Sequence, residues 1–218
     1  YPVGARTAAE LVESGALSRE EGERLLIFCN NAGPGFLLGI CGGAVFASPR
    51  AGAALYLIHA ASALFTGILL TRRLPPLSAP FSAGAAPRRS VSLSAALPAA
   101  VQGALAGILN VCAFVVFFTV CTRLLLRALP ESFAFSLPCA LLIGFFELTS
   151  GVTALPPTRA GFLACAALLA WGGLSVHCQT LSALSASALS ARYYLRAKAA
   201  QALLSVILSL PALPFLFP

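Results

Sequence analysis

The stretch Phe146-Glu147-Leu148-Thr149-Ser150-Gly151 decides the fold, because it places a carboxylate and small polar residues inside an apolar run over residues 133–155. A charged side chain is costly at membrane depth, and it usually faces a cavity or an ion path there. Non-helical backbone is tolerated at that depth only where it is buried in protein or lines a wet cavity. The stretch therefore predicts a broken membrane helix, with Glu147 as the leading candidate functional residue.

The composition of the whole chain indicates the same environment. Of its 218 residues, 59% are hydrophobic and 10% are charged, and the mean hydropathy is +0.90. Soluble domains are typically about 45–50% apolar and about 25% charged. A chain this apolar has too few polar residues to cover its surface in water. The composition therefore excludes a soluble globular enzyme and a nucleic-acid-binding module. The seven cysteines lie in apolar stretches without a CxxC pair, so we expect no metal, no cofactor and no disulfide framework.

Two further breaks interrupt apolar or helical sequence. A capping box at Ser18 and Glu21 predicts a helix from about Arg19, with Glu20 and Arg24 paired at i,i+4. This helix should break at Asn30-Asn31-Ala32-Gly33-Pro34, and the apolar run over 160–186 should break at Gly172-Gly173. Paired interrupted segments in two halves of a chain are a good indicator of a transporter binding site.

These patterns predict an all-α polytopic membrane protein with about five to six apolar segments, some of them broken or re-entrant. Residues 1–71 would hold a surface helix, a broken helix and a span, and form the end of a first repeat. Residues 72–98 form a basic loop rich in Pro and Ser, and 99–218 would form a second repeat with breaks near 147–151 and 172–179. Arg192, Arg196 and Lys198 are expected to form a basic belt before the last span.

Four motifs together resemble one membrane family. They are Tyr1-Pro-Val-Gly-Ala5, Leu25-Leu-x-Phe-x-Asn-Asn31-x-Gly-Pro34-x-Phe36, Glu147-Leu-Thr-Ser-Gly151 and Gly172-Gly-Leu-Ser-Val-His-Cys-Gln179. Over about residues 1–205 the chain resembles the YlbJ (SpoVV) sporulation integral membrane proteins, a nucleoside-recognition Gate group similar to concentrative nucleoside transporters. The resemblance implies an inverted-repeat fold with re-entrant hairpins, and movement of dipicolinic acid across the outer forespore membrane. The chain starts at the tail of the first hairpin motif, so we expect it to be a piece of a longer protein, truncated at its N-terminal side.

The candidate binding residues lie on the predicted breaks. Asn amides can donate and accept hydrogen bonds, and a helix restarting near Gly151 would offer free N–H groups to a carboxylate. Ser175 and Gln179 share a helix face, and a lone intramembrane histidine, His177, is a candidate proton site. For each position the alternative is a structural role, such as capping a broken helix or satisfying its backbone. The candidates for substrate or ion binding are Asn30, Asn31, Glu147, Thr149, Ser150, Gly151, Ser175 and Gln179, and the helix-break residues are Gly33, Pro34, Gly172 and Gly173.

The expected function is secondary transport of a small anionic aromatic acid by alternating access, with dipicolinate as the substrate implied by the resemblance. The alternatives are a nucleoside symporter driven by protons or sodium, and a membrane scaffold or assembly factor in sporulation. An enzyme fits poorly, because the chain has no Asp and no GxSxG, HExxH or P-loop motif. We expect the protein in the outer forespore membrane or the cell membrane of a spore former, as a homo-oligomer or a monomer.

Overall fold

A computed structural model describes residues 2–78, 92–134 and 136–217, and within these ranges the chain forms helices and no strand. Tyr1 of the first motif and residues 79–91 of the predicted basic loop lie outside the described residues. The helices are α1 (Val3–Glu13), α2 (Arg19–Cys29), a π-helix (Phe36–Val45), α3 (Pro49–Thr71), α4 (Leu93–Arg127), α5 (Leu137–Phe146), α6 (Leu148–Thr153), α7 (Arg159–Trp171), α8 (Gly173–Leu184), α9 (Arg192–Ser209) and α10 (Leu213–Leu216). Short 3-10 turns cover Glu131–Phe133 and Leu210–Ala212.

The second helix begins and ends where the sequence signals indicate. Ser18 accepts a hydrogen bond from the Glu21 N–H at 3.3 Å, and the Glu21 carboxylate accepts one from the Ser18 N–H at 2.8 Å. The predicted capping box is therefore confirmed, and α2 ends at Cys29 directly before the Asn pair. Gly15, with a φ of 72°, follows the end of α1. Because α1 buries a stripe of alanines against α2 and α8, it is part of the packed bundle.

Four helical stretches are long and apolar enough to cross a membrane: Pro49–Thr71, Leu93–Arg127, Arg159–Leu184 and Arg192–Leu216. The third consists of α7 and α8 joined at Gly172, and its 26 residues are longer than the roughly 20 needed to cross the hydrocarbon core. Phe36–Val45 and Leu137–Phe146 are apolar but too short to cross. The expectation of an all-α membrane protein is therefore confirmed at this coarse level.

The centre of the bundle is formed by α3, α7 and α9, with the π-helix packed on α3 and α6 folded back on α5. One apolar core joins the π-helix, α3, α5, α6 and α7, and it includes an aromatic cluster of Phe46, Phe162 and Phe217 with ring centroids 5.6–6.3 Å apart. The long helix α4 is peripheral and packs on α8 and α5. Its remaining apolar side chains are exposed, as expected for a helix that faces lipid.

Two sequence predictions are wrong in detail. Lys198 does not join Arg192 and Arg196 in a solvated belt, because its position on α9 turns it into the bundle, where it is fully buried. Glu20 and Arg24 do not pair with each other. Glu20 instead binds Ser78, and Arg24 donates to the Pro75 carbonyl, because the chain after α3 folds back over the start of α2. The ion pair on α2 is between Arg19 and Glu23, at 2.9 Å.

Candidate functional site

Two of the predicted breaks pack directly on each other. A Cβ on Gly173 would lie 3.0 Å from the Gly144 carbonyl oxygen and 3.1 Å from the Leu148 nitrogen, so the α7–α8 break sits against the α5–α6 break. Gly172 and Gly173 both have positive φ, 91° and 78°. Only glycine adopts these angles without strain, so the pair both turns the chain and permits the close approach.

A cavity of about 190 Å³ lies where these breaks meet the segment after α2. Four residues predicted from the sequence line it, namely Gly33, Thr149, Ser175 and Gln179. Its remaining lining residues are Ala32, Phe36, Val111, Val115, Leu148 and Val176. The structure therefore brings three separate breaks of the chain to one small cavity, with α4 as its side wall. Its lining is mostly apolar, and Thr149, Ser175 and Gln179 supply its polar side chains.

The cavity has an exposed rim and a buried floor. Gly33 and Thr149 are exposed, whereas Ser175 and Gln179 are 0% and 1% exposed. The Ser175 hydroxyl is buried without a hydrogen-bond partner, so it is available to a ligand. Ser175 also lies in the first turn of α8, whose N-terminus carries no side-chain cap. The first turn of a helix presents unsatisfied N–H groups and a partial positive charge, which together favour an anion.

Glu147 caps α6. The backbone of Glu147 is extended. Its two carboxylate oxygens accept hydrogen bonds from the Thr149 N–H at 3.0 Å and the Ser150 N–H at 2.7 Å. Glu147 is 1% exposed. The break is therefore confirmed, but the expected position of the new helix is wrong, since α6 begins at Leu148. The N–H groups expected to be free for a ligand are bonded to the protein's own carboxylate.

Ser150 and Gly151 lie beside this cap. A Cβ on Gly151 would come within 2.1 Å of the Gly144 Cα, so this glycine allows α6 to pack backbone to backbone on α5. Neither residue lines the cavity. Ser150 and Gly151 therefore shape the break that carries Thr149, and their part in ligand binding stays a prediction.

Asn31 belongs to a buried polar network with α9. Its Oδ1 accepts hydrogen bonds from Lys198 Nζ and Gln201 Nε2, both at 3.2 Å, and its Nδ2 donates to the Phe28 carbonyl. Lys198 also donates to Gln201 Oε1 at 2.9 Å. These contacts hold the segment after α2 against α9 and place a buried cationic side chain beside the break.

Asn30 and His177 lie in a neighbouring cluster between α2, α8 and α9. Asn30 Nδ2 donates to Thr180 Oγ1 at 2.8 Å, and the Tyr194 hydroxyl lies 3.3 Å from the same oxygen. His177 Nδ1 is 3.0 Å from the Tyr194 hydroxyl, and the imidazole packs edge-on against Trp171. Like Asn31, these residues do not line the cavity, and their role in ligand or proton binding stays a prediction.

Sequence reasoning missed His59, Lys198 and Gln201. His59 Nε2 accepts a hydrogen bond from the Ala32 N–H at 3.2 Å, and Gln201 Nε2 donates to the His59 carbonyl at 3.4 Å. A periodic signal was present, because buried polar residues recur at helical spacing on both α3 and α9. The residues of these two stripes are His59, Ser62 and Thr66 on α3, and Lys198, Gln201, Ser205 and Ser209 on α9.

The arrangement can bind a small polar solute through hydroxyl, amide and backbone N–H donors. Among the described residues, no group of three or more His, Cys, Asp or Glu side chains is placed to hold a metal ion. No protein-family model, curated protein or solved structure matches this chain.

Proposed function

We propose that this protein is a secondary membrane transporter of a small organic anion, and that the cavity between the three breaks is its substrate site. The observation that carries the proposal is the meeting of Gly33, Thr149, Ser175 and Gln179 around one cavity, although they come from breaks far apart in the sequence. Broken helices that meet at a polar cavity are the usual form of a transporter binding site.

The anionic character of the substrate follows from the donors at the cavity. The uncapped N-terminus of α8 and the unpartnered Ser175 hydroxyl both suit an oxyanion. The Glu147 carboxylate lies nearby, but two backbone N–H groups already offset its charge. At about 190 Å³ the cavity is smaller than the roughly 300–1,000 Å³ of drug-sized sites, which fits a compact solute.

The resemblance to the YlbJ (SpoVV) proteins supplies a specific candidate, dipicolinate, a compact aromatic dicarboxylate. On this proposal the short apolar helices Phe36–Val45 and Leu137–Phe146 are the re-entrant elements of an inverted-repeat Gate fold. Together with the four long stretches, these two helices make six apolar segments among the described residues. The membrane would be the outer forespore membrane or the cell membrane of a spore-forming bacterium, and a proton or sodium ion would drive the movement.

A nucleoside symporter is the second candidate function. It is favoured by one observation, the absence of a charged side chain among the ten described residues that line the cavity. A dianion gains most from cationic or helix-dipole donors, whereas a neutral nucleoside needs only hydrogen bonds. The two functions therefore differ in whether the α8 N-terminus is used to bind negative charge.

Uptake into proteoliposomes tests the proposal. Labelled dipicolinate and labelled uridine are compared for the wild-type protein, Ser175→Ala and the control Ser182→Ala. Ser182 has the same chemistry on the same helix but binds Asn110 outside the cavity. We expect dipicolinate uptake, with affinity lowered about tenfold by Ser175→Ala, since a hydrogen bond to a charged group is worth about 1.5–3 kcal/mol. The control should behave like the wild type.

A second pair of variants tests the position of the site. Val111→Phe introduces a larger side chain into the α4 wall of the cavity, whereas Val116 on the same helix is 63% exposed and gives the control Val116→Phe. We expect only Val111→Phe to abolish uptake in folded protein. Uptake of uridine alone would favour the nucleoside symporter, and no uptake of either solute would favour a scaffold.

A further inference from the structure

The hydrogen bond between the Ala32 N–H and His59 Nε2 links a titratable group directly to the cavity. Ala32 lines the cavity beside Gly33, and His59 is 3% exposed on α3. A ring nitrogen can accept an N–H donor only while it carries no proton itself. The geometry therefore assigns the neutral form of His59, with its proton on Nδ1, and the buried Nδ1 has no partner of its own.

We propose that His59 is the proton-binding residue that couples proton movement to the cavity, and that protonation at Nε2 releases the Ala32 N–H. A hydronium ion gives its proton to the Nε2 lone pair and becomes water, the N–H···N bond breaks, and the imidazole gains one positive charge. The Ala32 amide then turns to another acceptor, such as a carboxylate in the cavity. This inference rests on the proposed transport function for its biological role, but the proton-linked bond is testable without it.

The surroundings of His59 explain why its charge matters. The α9 helix brings Lys198, which is joined to the His59 carbonyl through Gln201, so a proton on His59 would add a positive charge beside a second titratable group in one buried network. The α2 helix brings the Cys29 thiol, which faces Lys198. The π-helix and α7 bring the thiols of Cys41 and Cys165, which lie in the apolar core. A bound anion would favour the protonated state by opposing these charges.

His177 is a weaker candidate for this coupling. Its Nδ1 can donate to the Tyr194 hydroxyl in the protonated as well as in a neutral form, so a proton added at Nε2 need not break that contact. The contact also does not involve a residue of the cavity. Protonation of His177 would therefore leave the cavity backbone in place, whereas protonation of His59 cannot.

The two histidines provide a matched pair of variants. His59→Gln keeps an acceptor for the Ala32 N–H in the amide oxygen but cannot bind a proton, and His177→Gln is the control. With the membrane potential clamped, a gradient of one pH unit should drive about tenfold accumulation of dipicolinate when one proton moves with it. We expect His59→Gln to lose this accumulation together with the pH dependence of dipicolinate binding, and His177→Gln to retain both.

Nuclear magnetic resonance separates this inference from the transport function. In protein labelled with ¹⁵N, the His59 ring nitrogens and the Ala32 amide are followed between about pH 3 and 8. We expect both signals to shift with one midpoint, and the Ala32 shift to vanish in His59→Gln. The inference is overturned if the Ala32 amide signal does not respond to His59, or if His59 does not titrate. Either result counts against it whether or not dipicolinate is transported. Titration as expected without any uptake would contradict only the proposed transport function.

Discussion

At the scale of single residues, Glu147 illustrates how a carboxylate can be kept in the interior of an apolar helical protein. Its carboxylate is surrounded by protein, and both oxygens accept backbone N–H groups of the helix that follows. These bonds replace hydration, and the positive end of α6 favours the negative charge. The residue therefore holds Thr149 at the rim of the cavity, and any direct contact with substrate is secondary to this role.

Replacing Glu147 should lower the free energy of unfolding, and the loss should grow with the number of hydrogen-bond acceptors removed from the Thr149 and Ser150 N–H groups. Glu147→Ala leaves the Thr149 and Ser150 N–H groups without their cap, which should cost about 1–3 kcal/mol, whereas Glu147→Gln retains one oxygen acceptor and should cost less. The measurement is thermal unfolding in detergent, with the exposed Glu131→Ala as control. Wild-type stability in Glu147→Ala would show that the cap is dispensable.

At the scale of elements, the site depends on helices that approach each other without side chains between them. Gly144 on α5 is in backbone contact with Gly151 on α6, and its carbonyl oxygen lies close to Gly173 on α8. Three glycines thus allow three short elements to meet at one point. Because main chain meets main chain there, the breaks are held at fixed distances and the cavity between them has a defined shape.

Gly151→Ala should disrupt this contact. The added Cβ would lie 2.1 Å from the Gly144 Cα, and since backbone cannot rotate away as a side chain can, α6 must shift. We expect a loss of about 3 kcal/mol or more, at the upper end of overpacking substitutions. Gly39→Ala on the π-helix is the control, because its Cβ would have no neighbour within 4 Å. Thermal unfolding and dipicolinate affinity of the two variants test this, and equal values would contradict it.

At the scale of the whole molecule, early and late parts of the chain are interlocked. The α1 helix packs on α8, α2 packs on α9, and the Ser190 N–H donates to the Glu23 carboxylate at 3.1 Å. The cavity likewise takes residues from both sides of the basic loop. The two predicted repeats, 1–71 and 99–218, therefore build one site together.

A polar link outside the membrane-spanning segments should respond to acid. Ser78 donates to the Glu20 carboxylate from its hydroxyl at 2.6 Å and its N–H at 3.1 Å, and these bonds, with the nearby Arg24 charge, lower the pKa of Glu20. A carboxyl whose pKa is lowered on folding stabilises the fold above its unfolded pKa and loses that effect as the pH falls through the folded value. The link between α2 and residues 74–78 should therefore open as the pH falls through the lowered pKa of Glu20.

The variant Ser78→Ala tests this link. It removes the hydroxyl donor and should raise the pKa of Glu20 toward its ordinary value, which carboxyl ¹³C resonances measure directly. Limited proteolysis of the segment over 74–78 should begin at a higher pH in the variant. Ser14→Ala is the control, because the Ser14 hydroxyl bonds only within its own helix end. A Glu20 titration unchanged by Ser78→Ala would contradict the assignment.

The sequence by itself determined the membrane class, the helix positions and the places where helices break. These features are local, since hydropathy, capping residues, glycine and proline act within a few residues of themselves. It also identified four residues that line the cavity, because breaks inside apolar runs place backbone and polar side chains where they line a cavity or are satisfied by protein. Whether they bind a solute is a matter for the uptake experiment.

Only the tertiary structure decided which polar groups satisfy one another. The His59 bond joins residues 27 positions apart, and the Asn31 bond to Gln201 joins residues 170 apart. Lys198 follows Arg192 and Arg196 in the sequence, so the three residues together look like a solvated basic belt. Only the packing of α9 shows that the Lys198 side chain is buried in the bundle. Likewise, a carboxylate on a helix break can cap the next helix or face a ligand. The choice for Glu147 depends on where α6 restarts, which is set by backbone contact with α5.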